Sequence, residues 1–556
     1  MSEILTSLCS VLLREYFGDI VQKVGTFLLK QVSSCPLFVI RLNVSLPLDK
    51  VKSSLCVLIQ HNFCDFVENE KGFVEYTMEH EGVLRLLHYE RYAYCSQLLF
   101  GDPADLLVEE ILNNGKLTMS EAIQKVVERL QDAKDTTGVD YSSAEVCHKF
   151  KLLIENHYLI RCPYLHSSEN EKVPNLSISE KEMFVVPEIK LHLLEADTNE
   201  EHVAKRQKVD FPDCEIYWRI NYDRFQQFFR DEALISACNS HFDEKSADVV
   251  RAILNESDLK SKILSLTTNP VQYYDIVKRL SANSTVNSQE LGGLLVNLCE
   301  GTRSFVSKAD DRGNGMYVVN IGKVLQRIVE ETAASVVRDG FGSKCARIFR
   351  ILLDKKVLEP KKIEELAMLH PKDTKEYIFK MIEENYIFSH ELPKGSDFSH
   401  GQIFYLLRID MIQVCRMLLE RCYQALFNLI TCSEAQYQEN KRLLEKKQRI
   451  DAIVASLKIN GADEEQIEEV QQIISQPEEA VITKVIHVTQ KIDLSQIQLA
   501  EMISTLETCY GSKLSKERLT VLLCMNKDSS DNRKPLIIGK SARPQCNKNV
   551  KKLPIS

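Results

Sequence analysis

A short phrase recurs along this chain of 556 residues. It reads Leu58-Ile59-Gln60-His61-Asn62-Phe63-Cys64-Asp65-Phe66, then Leu153-Ile154-Glu155-Asn156-His157-Tyr158-Leu159-Ile160-Arg161, then Met381-Ile382-Glu383-Glu384-Asn385-Tyr386-Ile387-Phe388. In each copy an apolar pair, a polar triplet and an aromatic close an amphipathic helical pattern, and a β-rich stretch follows. A weaker relative, Leu294-Leu295-Val296-Asn297-Leu298, precedes Ser304-Phe305-Val306. Recurrence of this kind means one supersecondary unit used several times.

A helix that ends on polar residues and an aromatic, then passes into a hairpin, is how a winged helix leaves its third helix and enters its wing. The expected fold is therefore mainly α with small β-wings: four tandem winged-helix domains followed by an antiparallel coiled-coil helical hairpin. The first unit spans 1–80. Its helical periodicities include Ile4, Leu5, Leu8, Val11 and Leu12; a β-like stretch covers Leu37 to Ile40, and strands are expected near 63–68 and 73–78. The second unit spans 83–190. Capping boxes at Thr118/Glu121 and Ser142/Glu145 start two of its helices. Its wing strands are read at Tyr158 to Cys162 and Met183 to Val186, with a polar tip between them. Residues 195–213 read as a linker, 215–320 as a third winged helix opened by Tyr217-Trp218, and 321–410 as a fourth. Phe225, Phe228 and Phe229 read as core packing.

From Ile412 the a and d positions run through Cys415, Leu419, Cys422 and Leu426 to Ile450 and Val454. A break at Asn460-Gly461-Ala462 and a last cap at Ser495/Gln498 give the hairpin, 411–510. Residues 511–556 form a basic tail, expected to be disordered, with 11 Lys/Arg against 3 Asp/Glu. The whole chain carries −9, so residues before the tail carry −17, and a general nucleic-acid coat is excluded in favour of local basic patches.

Seventeen cysteines contain no C-x-x-C pair, so they read as small core hydrophobes, and no metal or cofactor is expected. No secretory leader and no apolar run long enough to span a bilayer is read. Phosphate-loop, dinucleotide, zinc-protease and nucleophile-elbow motifs do not occur, which points away from an enzyme. His61 and His157 read as exposed helix-end residues.

Winged helices reach DNA through cations on phosphates. Lys344, Arg347 and Arg350 recur at three-residue spacing, with Lys355, Lys356, Lys361 and Lys362 beyond. They serve either phosphates or acidic groups of a neighbouring domain. Arg303, Lys308 and Arg312 surround the Gly313-Asn314-Gly315 turn of the third wing and form a second candidate. Lys205, Arg206 and Lys208 form a K-R-x-K cluster in the linker, a candidate nuclear-import signal.

Several long segments carry a family resemblance. They are Phe341-Gly342-Ser343-Lys344-Cys345-Ala346-Arg347-Ile348-Phe349-Arg350, Glu439-Asn440-Lys441-Arg442-Leu443-Leu444-Glu445-Lys446, Asn114-Gly115-Lys116-Leu117-Thr118-Met119-Ser120, Gly315-Met316-Tyr317-Val318-Val319-Asn320, and Leu8-Cys9 through Phe17-Gly18-Asp19-Ile20-Val21. Over about residues 1–510 the chain resembles one family of nuclear RNA polymerase III subunits, the large tandem winged-helix member of that enzyme's peripheral initiation heterotrimer. That family is itself similar to the large subunit of transcription factor IIE. The resemblance implies a subunit of a DNA-directed RNA polymerase without its own active site, on the clamp side of the cleft. It implies a second tandem winged-helix subunit and an acidic-tailed subunit as partners, and melted or single-stranded promoter DNA as the nucleic acid. Transcription initiation for transfer RNA and 5S ribosomal RNA would be its role, with a link to cytosolic DNA sensing in innate immunity. The competing reading is a free-standing winged-helix transcription factor, which needs exposed base-reading residues on a third helix. In the first unit that helix offers only Lys50, Lys52, Ser53 and Gln60.

Overall fold

The computed structural model describes residues 3–31, 33–70, 72–137, 141–166, 175–177, 182–187, 213–257, 265–283, 288–300, 304–310, 315–393, 403–459, 470, 473–508, 520–522 and 536–538. The chain divides into two compact units, Met1–Phe228 with Glu420–Glu501, and Phe229–Leu419 with Met502–Ser556.

One arrangement occurs four times: helix, short strand, two helices, two longer strands. The first copy comprises Asp19–Lys30, Cys35–Pro36, Leu37–Val44, Leu48–Gln60, Cys64–Glu68 and Val74–Met78. The second comprises Asp102–Asn114, Leu117–Thr118, Met119–Thr137, Ser143–Glu155, Leu159–Arg161 and Tyr217–Ile220. The third comprises Glu244–Ser257, Val271–Gln272, Tyr273–Asn283, Ser288–Cys299, Val306–Asp310 and Met316–Val319. The fourth comprises Ser343–Lys355, Val357–Leu358, Pro360–Ala367, Pro371–Glu383, Phe388–Pro393 and Ile403–Arg408. In every copy the last strand lies between the other two, antiparallel to both. These are four winged helices, and the long helices Met411–Ile459 and Gln476–Leu506 follow them.

The recurrent phrase has a specific backbone geometry. Asn62, His157 and Asn385 take φ of 56°, 63° and 60°, a left-handed conformation that Asn and His tolerate better than most residues. The next aromatic then donates its N–H five residues back into the helix: Phe63 to Leu58 O at 2.9 Å, Tyr158 to Leu153 O and Tyr386 to Met381 O at 2.8 Å. The left-handed residue donates three back, to Ile59 O, Ile154 O and Ile382 O. This pair of bonds satisfies carbonyls that a helix end leaves open, and turns the chain towards the wing. The aromatic is buried each time. His61, expected to be exposed, is also buried, packed between Phe17 and Phe63, while His157 is half-buried and stacks on Phe184 at 3.9 Å.

A second repeat stands at the entry to three of the winged helices. The helices Glu3–Phe17, Tyr89–Phe100 and Ile321–Phe341 each end in Phe-Gly. Gly18, Gly101 and Gly342 sit at φ 81°, 92° and 87° with ψ 176°, 177° and 172°. Only glycine adopts that region cheaply. The third winged helix is preceded by Tyr222–His241 and turns at Phe242-Asp243 instead.

Further readings change. Leu37 to Ile40 is helical; the strand is the preceding Cys35–Pro36. The strand that closes the second wing is Tyr217–Ile220, not Met183 to Val186. Trp218, read as opening the third unit, is fully buried against Phe150 of the second, which is why the distant strand wins. Finally, no cap breaks the last helix at Ser495, whose hydroxyl donates to Lys491 O inside a continuous helix. The capping boxes at Thr118 and Ser142 form as expected. In the hairpin Cys415, Leu419, Cys422, Leu426, Ile450 and Val454 are buried as the heptad requires, and Ile412 is exposed. Lys446 pairs with Glu478 across the two arms at 2.8 Å. The break at 460–462, the linker 195–212 and most of 511–556 lie outside the described residues.

Backbone conformation and burial each yield an expected outcome. An added methyl meets nothing at either Gly342 or the mid-helix Gly293, yet only Gly342 has a positive φ. Gly342→Ala should therefore lower stability by about 1–3 kcal/mol. Gly293→Ala should raise it by about 1 kcal/mol. Thermal unfolding of the two variants reads the opposite signs. Separately, burial lowers His61 and His88 to about 4, and the Nδ1 atom of each is buried without a hydrogen-bond partner. The unfolded chain then binds protons first as pH falls below about 6.5, so stability holds above that pH and is lost towards 4. Denaturant titrations at pH 7 and pH 5 should differ by about 2 kcal/mol per histidine. His61→Phe should remove its own share of that difference.

Candidate nucleic-acid and protein interface

The first candidate surface is built on helix Ser343–Lys355. Its apolar positions Cys345, Ala346, Ile348, Phe349 and Leu352 are buried, which leaves Lys344, Arg347 and Arg350 on the exposed face. The helix is the first of its winged helix, not the third, so these cations do not occupy the position that enters a major groove. Lys344 Nζ lies 5.7 Å from the ring centre of Tyr377, on the third helix. Arg347 Nη1 donates to Ala367 O at 3.1 Å and so closes the end of helix Pro360–Ala367. Arg347 thus has a structural task, whereas Arg350 pairs with no described acid. Lys355 pairs with Asp354 at 3.2 Å, and Lys356, Lys361 and Lys362 are exposed beyond it. Over 343–362 seven basic side chains meet two acidic ones. The patch is cationic in an otherwise acidic body.

The third helix of the same unit, Pro371–Glu383, is mixed in charge. Lys380 bonds Glu376 at 2.9 Å, which raises the lysine and lowers the carboxylate from their ordinary values. Beside them Phe379 is 69% exposed. An exposed aromatic at this position suits a protein surface better than a phosphate backbone.

In the third wing Lys308 is exposed on strand Val306–Asp310, paired in register with Tyr317. A methyl on Gly315, at φ +107°, would lie 2.8 Å from Lys308 Cε and 3.2 Å from Tyr317, so the glycine gives both side chains room. Arg303 and Arg312, like Lys205, Arg206 and Lys208, fall outside the described residues. The first unit has less to offer DNA than its sequence suggests. Gln60 Nε2 donates to Asn114 O at 2.6 Å and Ser53 Oγ to Asp49 O. Among the described residues no group of three or more His, Cys, Asp or Glu side chains could hold a metal. Burial pushes thiols such as Cys9, Cys64 and Cys415 up to about 12, which keeps them protonated.

Sequence reasoning missed Asp213. It is fully buried and accepts from Ser120 N at 2.8 Å and Ser120 Oγ at 2.6 Å, at the start of helix Met119–Thr137. The carboxylate satisfies one open N–H of that helix start, that of Ser120, and holds the chain where it returns to the second wing. Its place inside an acidic, aperiodic stretch hid it.

With the geometry in view, the comparisons with known proteins are specific. Residues 7–69 match the RNA polymerase III subunit RPC82 helix-turn-helix domain, and 148–328 match RNA polymerase III subunit RPC82. Residues 333–409 match the C-terminal winged-helix domain of POLR3C, and 442–505 the helical hairpin domain of DNA-directed RNA polymerase III subunit RPC3. The chain is 39% identical over 536 residues to DNA-directed RNA polymerase III subunit RPC3 of Bos taurus, covering 93% of this chain and all of that one. It is 39% identical over 528 residues to the subunit of Homo sapiens (91% and 98%) and 36% identical over 530 residues to that of Danio rerio (91% and 98%). Similarity of this extent, carried by four winged helices and a helical hairpin, shows that the chain belongs to the RPC3 (RPC82) family of RNA polymerase III subunits.

Proposed function

We propose that the chain is a non-catalytic peripheral subunit that acts when RNA polymerase III opens promoter DNA for small RNAs such as transfer RNA and 5S ribosomal RNA. The observation that carries this is the near full-length similarity to RPC3, combined with a surface that offers cations and apolar faces. The polymerase core would hold it on the clamp side. A second tandem winged-helix subunit and an acidic-tailed subunit would complete a heterotrimer. Its place of action would be the nucleus, with Lys205, Arg206 and Lys208 as the import signal. The same DNA affinity would link it to cytosolic DNA sensing. The DNA contacts are Lys344 and Arg350 on the fourth winged helix, with Arg347 shared between phosphate and Ala367 O, and Arg303, Lys308 and Arg312 at the third wing. In this reading the cations neutralise phosphates of a separated strand and carry no sequence information.

Removing two phosphate contacts should weaken binding similarly for all sequences and flatten its salt dependence by about one unit of slope per contact. The test is Lys344→Gln with Arg350→Gln, assembled into polymerase III and titrated against pre-melted promoter DNA at several salt concentrations. Arg347 is left in place because its loss would also open a helix end. An assembled variant with unchanged affinity and slope would remove this patch from the DNA path.

A further inference from the structure

The fourth sheet presents an apolar face to solvent. Strand partners share a face and successive residues alternate. Leu407 is buried and shares a face with half-buried Leu358 and exposed Ser389, which pair across the three strands, and farther along that face Tyr405 and Glu391 are exposed. The outer face then consists of three rows: Val357, Arg408 and Phe388; Leu406 and His390; Phe404 and Leu392. Val357, Leu392 and Phe404 are 47%, 42% and 40% exposed. By contrast, the outer face of the first sheet sets Asp65, Glu75 and Thr77 beside Val67. An apolar face of this kind marks an interaction surface.

Two features of the sheet say what fits it. The strand Phe388–Pro393 is an edge, since Ile403–Arg408 lies between it and Val357–Leu358. Among the described residues no strand pairs with its far side, and an edge of this kind is the template for an added strand. The charged groups of the outer face are Arg408, which is exposed, and His390. No acid stands on that face among the described residues. A single full cation among five apolar side chains cannot hold a run of phosphates, which needs several. It does suit one carboxylate on an otherwise apolar strand.

We propose that this edge and face receive an extended segment of another polypeptide, with apolar side chains at alternate positions and a carboxylate among them. The segment pairs with Phe388–Pro393 and places its apolar residues beside Phe388 and Leu392. Three rows at two-residue spacing span about 14 Å, the length of a five-residue strand. The proposal rests on the sheet Val357–Leu358, Phe388–Pro393 and Ile403–Arg408, not on the basic helix face, and stands whether or not that face binds DNA.

The test uses the full chain assembled in purified polymerase III bound to promoter DNA. Leu392 and Phe404 are replaced, one at a time, by photoreactive p-benzoylphenylalanine, with the same replacement at Lys344 as a comparison. Positions 392 and 404 should cross-link to one polypeptide, within a peptide of alternating apolar residues that contains Asp or Glu. Cross-linking to DNA, or to no second molecule, overturns the proposal. In addition, Leu392→Glu with Phe404→Glu should reduce capture of a synthetic copy of that peptide by the isolated chain at least tenfold. Both side chains are substantially exposed, so the melting temperature should stay unchanged. Unaltered capture would also overturn the proposal.

Discussion

In three of the four winged helices the third helix has to stop at one residue, and a backbone hydrogen bond decides where. The N–H of Phe63, Tyr158 or Tyr386 reaches a carbonyl five residues back, and this is possible only if the residue before it turns left-handed. That single reversal fixes the register of everything after it. The aromatic enters the core, the next residues begin the wing, and the final strand is placed between its two neighbours. One local bond, repeated, thus organises elements that are far apart in sequence. The phrase is visible in the sequence because its chemistry is restricted: Asn and His at the left-handed position, a large apolar ring after it. What is not visible there is its consequence for His61, which the turn carries inward between two phenylalanines.

The segment Asn114 to Ser120 shows how far a sequence can be read and where reading stops. Its Thr118 and Glu121 announce a capping box, and the box is there. The other residues have partners that lie far along the chain. Asn114 O receives Gln60, and its side-chain oxygen receives Lys125. A methyl on Gly115 would stand 2.8 Å from Gln60 O. Lys116 lies over the ring of Tyr217, Leu117 pairs with Trp218, and Ser120 meets Asp213. Local periodicity reports helices and caps because their causes lie within a few residues. It cannot report a partner almost a hundred residues away, so periodicity assigns Tyr217–Ile220 to the wrong neighbour and passes over Asp213.

The candidate surface divides along the same line. Three-residue spacing in Lys344, Arg347 and Arg350 correctly places them on one exposed face, because helical geometry alone determines that. Their helix's rank within its winged helix depends on the sheet, and that rank moves them away from the groove-reading position. Arg347 adds a further lesson. A guanidinium has five donors, so closing a neighbouring helix and facing outward are compatible tasks. Charge counting could not divide them.

The second wing closes over residues 162–216, where the first closes over residues 69–73. Lengthening a closed loop costs free energy only as the logarithm of its length, so this more than threefold doubling amounts to about 2 kcal/mol. The anchors at Trp218 and Asp213 are large enough in burial and hydrogen bonding to meet such a cost. The kinetic cost is steeper, because the strands must find each other across the whole insert before their contacts contribute. The second sheet is therefore the one expected to form last in its unit.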